Sequence, residues 1–136
     1  MNMKITSKGR YGIMIMTYLA KHYNENRYIS LKEISENENI SYKYLEKIMI
    51  TLNKNNFLDV ARGNNGGYKL KSSPNNYKVL DILKTVDENL LPVKCIEEEC
   101  DKKDNCSTIK LWSGLYDEIN SYLGSKTLAD YIKEGK

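Results

Sequence analysis

The 136-residue chain is short of several things, and each shortage narrows what it can do. No apolar run approaches the roughly 18 residues that span a bilayer, and no signal-peptide apolar core follows the N-terminus. The sequence therefore predicts a cytoplasmic protein without a membrane partner. The single histidine, His22, stands far from any cysteine and reads as a surface or packing residue rather than a ligand. There is no C-x-x-C, no glycine-rich nucleotide loop and no recognisable pairing of catalytic acid and base, so an enzyme is not expected. Three cysteines, an odd number, do not make a structural disulfide framework and point instead to metal or redox chemistry.

Charge is modest but uneven. Lys and Arg number 21 against 18 Asp and Glu, a net charge of +3. Residues 1–76 hold 12 basic and 6 acidic side chains, whereas residues 77–136 hold 9 and 12. A basic front half and an acidic back half suit a DNA-facing portion joined to one that faces away.

The stretch that organises the chain is Ser30 to Leu70. Ser30 and Glu33 make an S-x-x-E capping box that starts a short helix, with Leu31 and Ile34 on one face. Asn37-Glu38-Asn39 breaks the pattern. Ser41 then caps a second helix running to about Lys54. Leu45, Ile48, Met49 and Leu52 form its buried stripe, which leaves Tyr42, Lys43, Glu46 and Lys47 facing outward. In a helix-turn-helix, the start of the second helix reaches base edges in the major groove. For these two helices alone, an αα-hairpin with a solvated face is an equal reading. The next fifteen or so residues decide between them. Phe57–Val60 reads as a strand, residues 62–67 as a Gly/Asn turn and Tyr68–Leu70 as a second strand, which completes a winged helix. Arg62 and Gly63 at the wing tip suit a minor groove, where narrow A·T tracts attract arginine.

Before this stretch, Thr6-Ser7 precede a helix expected over about Lys8 to Tyr23, with Ile13, Met14, Ile15 and Met16 largely in the core. Lys8, Arg10 and Tyr11 open this helix, where cations oppose the macrodipole, so a phosphate-facing role is expected for them. After the wing, Pro74 stops the hairpin from extending, and Tyr77–Val86 reads as a short amphipathic helix. Residues 87–105 form a polar connection of a length that marks either function or disorder. Cys95 and Cys100 within it and Cys106 directly after it are spaced C-x4-C-x5-C, so all three cysteines fall within twelve residues. Soft thiolates so placed can converge on zinc or an iron–sulfur centre. Three of them complete neither site, since each needs four ligands.

Ser107 to about Leu123 reads as the last long helix, ended by Gly124. Its broad apolar face (Leu111, Trp112, Leu115, Ile119, Tyr122, Leu123) has nothing left in the chain to cover it, so a self-paired, two-fold dimer is expected. Thr127-x-x-Asp130 caps a short terminal helix, with Leu128, Tyr131 and Ile132 packing back. The predicted class is mainly α with a small β-hairpin. Residues 1–86 would be a winged helix-turn-helix domain, 87–106 a cysteine-containing sensor loop, and 107–136 a dimerisation helix with a C-terminal helix.

MKITSKGRYG at the start, ISYKYLEKI, RGNNGGYKL, VDENL and KLW, in this order and spacing, resemble the IscR-type family of bacterial winged-helix regulators, which includes the NsrR and CymR groups. The resemblance covers Met3 to about Ile132. It implies a homodimer on an inverted-repeat operator of double-stranded DNA, acting as a repressor or activator. It implies further that Glu46 reads bases, chemically a carboxylate accepting from cytosine N4, and that Ser41, Tyr42 and Tyr44 lie at the groove edge. In the cluster-bearing branch three cysteines of this loop hold a 2Fe–2S cluster, and Cys95, Cys100 and Cys106 fall in those slots, although the first gap is one residue shorter than in IscR. The fourth ligand departs from both patterns. The IscR histidine slot, three residues after the last cysteine, is Ile109; the NsrR aspartate, on the partner's first helix, would fall at Arg10. Asp104, the Glu97–Glu99 run, Ser107 or an external ligand are the candidates left. The CymR-like branch lacks the cysteine set and responds through a protein partner in cysteine metabolism. A thiol switch or a zinc site on the same DNA-binding frame is the further alternative.

Overall fold

The computed structural model describes residues 6–86 and 107–132. Helix α1 (Ser7–Lys21) starts where the sequence places it, with the Thr6 hydroxyl accepting from the Gly9 amide at 3.1 Å. It ends two residues earlier than expected, and the chain tightens into a 3-10 turn, Tyr23–Glu25. Asn26 then reverses the chain with φ 51°. Helices α2 (Leu31–Glu38) and α3 (Tyr42–Asn53) form the helix-turn-helix. Their junction closes through Asn39 at φ 56° and through the Ser35 hydroxyl, which donates to the Ile40 carbonyl at 2.6 Å. Leu45, Ile48, Met49 and Leu52 are fully buried, as the stripe predicts.

Ser30 caps α2 by accepting from the Glu33 amide at 3.1 Å, but the reciprocal half of the expected capping box is not made. The Glu33 carboxylate turns instead to Arg27, which grips both its oxygens at 2.9 Å, and to the Tyr18 hydroxyl, which donates at 2.6 Å. A bidentate guanidinium offers two charge-assisted bonds where the cap offers one neutral amide, so the guanidinium wins. Arg27 also donates from Nε to Glu25, whose other oxygen meets His22 Nδ1 at 2.6 Å. His22 thus packs and pairs at the surface, its ring 4.5 Å from that of Tyr18.

Strands β1 (Leu58–Ala61) and β2 (Gly67–Leu70) pair antiparallel with Leu58 opposite Leu70 and Val60 opposite Tyr68. The hairpin is not isolated. Ile29 exchanges both backbone bonds with Tyr68, at 2.9 and 2.8 Å, and serves as a one-residue third strand. Gly67 makes this approach possible: a Cβ there would lie 2.3 Å from the Ile29 carbonyl oxygen. Beyond β2 the buried Pro74 opens a 3-10 turn, Pro74–Asn76. The Tyr77 hydroxyl donates to the Phe57 carbonyl at 2.7 Å and accepts from the Lys71 and Ser72 amides, which locks the base of the wing.

Helix α4 spans Val79–Thr85, two residues shorter than expected at its start, because Tyr77 is extended and its carbonyl accepts from Leu128. Helix α5 (Ile109–Ser125) corrects the reading of Gly124 as a terminator: Gly124 is helical and lies against Leu80 of α4, and the helix ends at Lys126 instead. The C-terminal 3-10 turn, Leu128–Tyr131, carries the expected capping box of Thr127 and Asp130. Leu128 is fully buried in the same core as α1–α4, whereas Tyr131 is 50% exposed. No residue of α5 is buried, and Leu111 and Tyr122 are about 60% exposed. Among the described residues no helix is long and apolar enough to cross a membrane.

The Arg27 grip, with the Tyr18 hydroxyl, lowers the Glu33 carboxyl from the usual 4.5 to about 2. A depressed carboxyl stabilises the fold above its unfolded pKa, and that stability is lost as pH falls through the folded value. Glu33→Gln is therefore expected to cost about 1 kcal/mol at neutral pH, after allowance for solvent screening. In urea titrations at a series of pH values its deficit should shrink below about pH 4.5 and vanish near pH 2.

Candidate nucleic-acid interface

The capped start of α3 places its polar residues at one surface. Ser41 uses its hydroxyl to accept from the Tyr44 amide at 3.4 Å. Tyr42, Lys43, Glu46 and Lys47 are all exposed, as expected from the stripe that buries their neighbours. Tyr44 differs: it is half-buried, and its ring turns toward α1, meeting Tyr11 edge-on at 5.4 Å. The two tyrosines join the start of α1 to the first turn of α3. At that start Arg10 is exposed with its guanidinium 5.5 Å from the Tyr11 ring, while Lys8 is half-buried.

The wing brings the second set. Arg62 and Gly63 are exposed at the turn, which closes through the Gly66 amide donating to the Gly63 carbonyl at 3.1 Å. Gly63 adopts φ 102°, a conformation that side chains rarely take, so glycine there is a requirement of the turn. Between wing and helix runs a groove of about 360 Å³ lined by Leu31, Tyr42, Val60, Arg62, Gly63 and Tyr68, among others. A second groove of about 470 Å³, lined by Leu31, Lys43, Glu46, Lys47, Ile50 and Tyr68, continues along α3. Tyr68 belongs to both. Burial raises its phenol pKa, Tyr42 and Glu46 add in the same direction, and Arg62 opposes them.

Tyr42, Arg62 and Gly63 thus line the first groove and Lys43, Glu46 and Lys47 the second, with Leu31 and Tyr68 common to both, whereas the start of α1, which carries Lys8 and Arg10, is joined to α3 through the Tyr11–Tyr44 contact. Sequence reasoning missed Leu31, Ile50 and Tyr68 as lining residues. Ile50 carried a readable signal, an apolar residue on the outward face at helical spacing from Lys43 and Glu46. Tyr68 carried none, because only its partner Ile29 orients it.

Cys95, Cys100 and Cys106 lie outside the described residues, as do Asp104 and the Glu97–Glu99 run. Among the described residues no three His, Cys, Asp or Glu side chains gather into a group able to hold a metal ion. At the two slots where the resemblance puts a fourth ligand the fit fails: Ile109 is a half-buried hydrocarbon opening α5, and Arg10 is a cation on α1. Ser107 is exposed just before α5 and has an oxygen donor.

Residues 5–134 match the family model described as Iron-dependent Transcriptional regulator (Rrf2). The HTH-type transcriptional regulator IscR of Xenorhabdus nematophila is 37% identical over 96% of this chain and 80% of its own. The structure of CymR, the global cysteine regulator of B. subtilis, superposes with a TM-score of 0.79 at 35% identity, covering 96% of this chain and 97% of that one. IscR of T. potens gives 0.78 at 34% identity, over 98% and 88%. These relatives are winged-helix regulators of transcription. The chain belongs to the Rrf2 family of transcriptional regulators, as a DNA-binding protein of the IscR type.

Proposed function

We propose that the chain acts as a cytoplasmic homodimer on an inverted-repeat operator, and that its cysteine loop reports iron–sulfur, redox or nitric oxide status. The observation that carries the DNA reading is the pair of grooves that share Tyr68, with an exposed carboxylate (Glu46) among lysines on α3 in one and an arginine wing tip lining the other. Lys43 and Lys47 supply sequence-independent attraction for phosphates. Glu46 accepts from a cytosine N4 in the major groove, where that donor is distinctive. Arg62 and Gly63 enter the minor groove, and Lys8, Arg10 and Tyr11 face the backbone beside it. Ser41, Tyr42 and Tyr44 hold the helix start at the groove edge. Glu46→Ala should weaken binding to the preferred duplex about 5- to 150-fold, a loss of about 1–3 kcal/mol, and leave random DNA little changed. Lys43→Ala should weaken both alike and reduce the log–log salt slope by about one. Equal losses on both duplexes for Glu46→Ala would remove its base-reading role.

The dimer reading rests on α5, an exposed apolar helix whose Leu111 and Tyr122 remain in water in the single chain. A self-complementary face of this kind pairs about a two-fold axis, and the axis is mirrored by an inverted repeat. Sedimentation should give twice the 15.8 kDa chain mass. Leu111→Glu combined with Tyr122→Glu should give a folded monomer that binds half-sites only weakly; a variant that stays dimeric would place the interface elsewhere.

For the loop, Cys95, Cys100 and Cys106 would supply three thiolates to a 2Fe–2S cluster, which when bound supplies a redox-sensitive centre. The fourth donor is neither Ile109 nor Arg10, which leaves Asp104, Glu97–Glu99, Ser107 or an external ligand. Similarity to both IscR and CymR supports a second reading, the same regulator switched by thiol oxidation, zinc or a protein partner. Protein purified without oxygen separates them. Visible absorption with about two irons and two sulfides per chain is expected for the cluster, and a colourless, iron-free protein after reconstitution would leave only the second reading.

A further inference from the structure

Ile50 is accounted for neither by the core nor by the polar face of α3. Its side chain is 64% exposed, although the rest of the apolar side of this helix is buried. It follows Lys43 by seven positions, Glu46 by four and Lys47 by three, so all four share one face of the helix. With Leu31 and Tyr68 it makes the apolar part of the 470 Å³ groove, whose polar part is Lys43, Glu46 and Lys47. An exposed isoleucine is stabilised when something apolar covers it. The surroundings restrict what that can be. Two lysines flank the site, which favours a polyanion, and the groove is continuous with the face proposed to enter the major groove. That groove presents an apolar group at its base edges in the thymine 5-methyl.

We infer that Ile50 packs against a thymine 5-methyl group and selects thymine at one position of each half-site, beside the base that Glu46 contacts. The inference rests on the base-reading role proposed for α3. It assigns Ile50 to specificity, not to general affinity, because it adds no contact to phosphate.

Uracil lacks only the methyl group, which makes the test direct. Duplexes would be selected from a randomised library by the wild-type chain, and each thymine of the selected site replaced in turn by deoxyuridine. One replacement per half-site should weaken wild-type binding about 4-fold, the effect of one buried methyl group. Ile50→Ala, which removes the contact in both half-sites at once, should bind the thymine duplex about 15-fold more weakly and no longer distinguish it from the uracil duplex. Its salt slope and melting temperature should match those of the wild type, since neither a phosphate contact nor a buried side chain is lost. Ile50→Val, which keeps a branched apolar side chain, should retain the preference. The inference is overturned if no thymine methyl matters, or if Ile50→Ala keeps the wild-type discrimination; unchanged binding of Ile50→Ala to every duplex would leave a protein partner as the occupant of the groove. Failure of the wild type to enrich any sequence is a different outcome, which removes the DNA-reading role of α3 and this inference with it.

Discussion

The DNA-facing side depends on the backbone exchange between Ile29 and Tyr68. A hairpin of two four-residue strands has little stability of its own in water, and β1–β2 would swing about its connections if nothing held it. Ile29 supplies a third edge through two hydrogen bonds, at 2.9 and 2.8 Å. They can form because Gly67 has no Cβ to hold the chains apart. Ile29 is itself 1% exposed and immediately precedes the Ser30 cap of α2. The wing is thus referenced to the helix-turn-helix through a few residues of rigid backbone. The relative placement of Arg62 and Glu46 comes from that geometry and not from a flexible loop.

A second constraint holds α1 to α2. Glu33 completes only half of its capping box because Arg27 and Tyr18 compete for its carboxylate. The exchange favours tertiary over local order: a bond confined to one helix end is replaced by bonds that tie α1, the linker and α2 together. Burial and the Glu33 acceptor hold the Tyr18 phenol at about 12, so it remains a donor throughout the physiological range.

The features legible in the sequence were those with local signatures. Ser30 and Ser41 marked helix starts, the Leu45/Ile48/Met49/Leu52 stripe marked the buried face of α3, and the Gly/Asn cluster marked the wing turn. What escaped reading is non-local. The Ile29–Tyr68 pairing, the Tyr77 lock on the wing base and the Tyr11–Tyr44 contact join residues far apart in the chain, and no spacing rule announces them. Gly124 misled for a related reason: a glycine near a helix end usually terminates it, but here its small size serves the contact with Leu80 of α4. In the candidate site the charged and polar members were readable as outward positions on α3. Tyr68, Leu31 and Ile50 became members only when the wing was folded against the helix.

The way α5 is attached gives the proposed dimer its mechanical consequence. Its C-terminal end is fixed to the winged domain: the Val79 amide donates to the Lys126 carbonyl at 2.9 Å, the Leu128 amide to the Tyr77 carbonyl at 3.0 Å, and Leu128 sits in the core. Its N-terminal end comes directly after the cysteine-bearing segment. It also packs on α4, with Gly124 against Leu80, and α4 in turn packs on α1 and α3. In the proposed dimer, a helix held at one end by the winged domain and paired along its apolar face would act as a lever between the two. Any change of chemistry in the cysteine segment that alters how two α5 helices pair would tilt each winged domain as a body, since the bonds at Tyr77, Val79 and Leu128 leave no hinge there. The spacing between two recognition helices, rather than the conformation of either one, is then the quantity on which such a regulator would act.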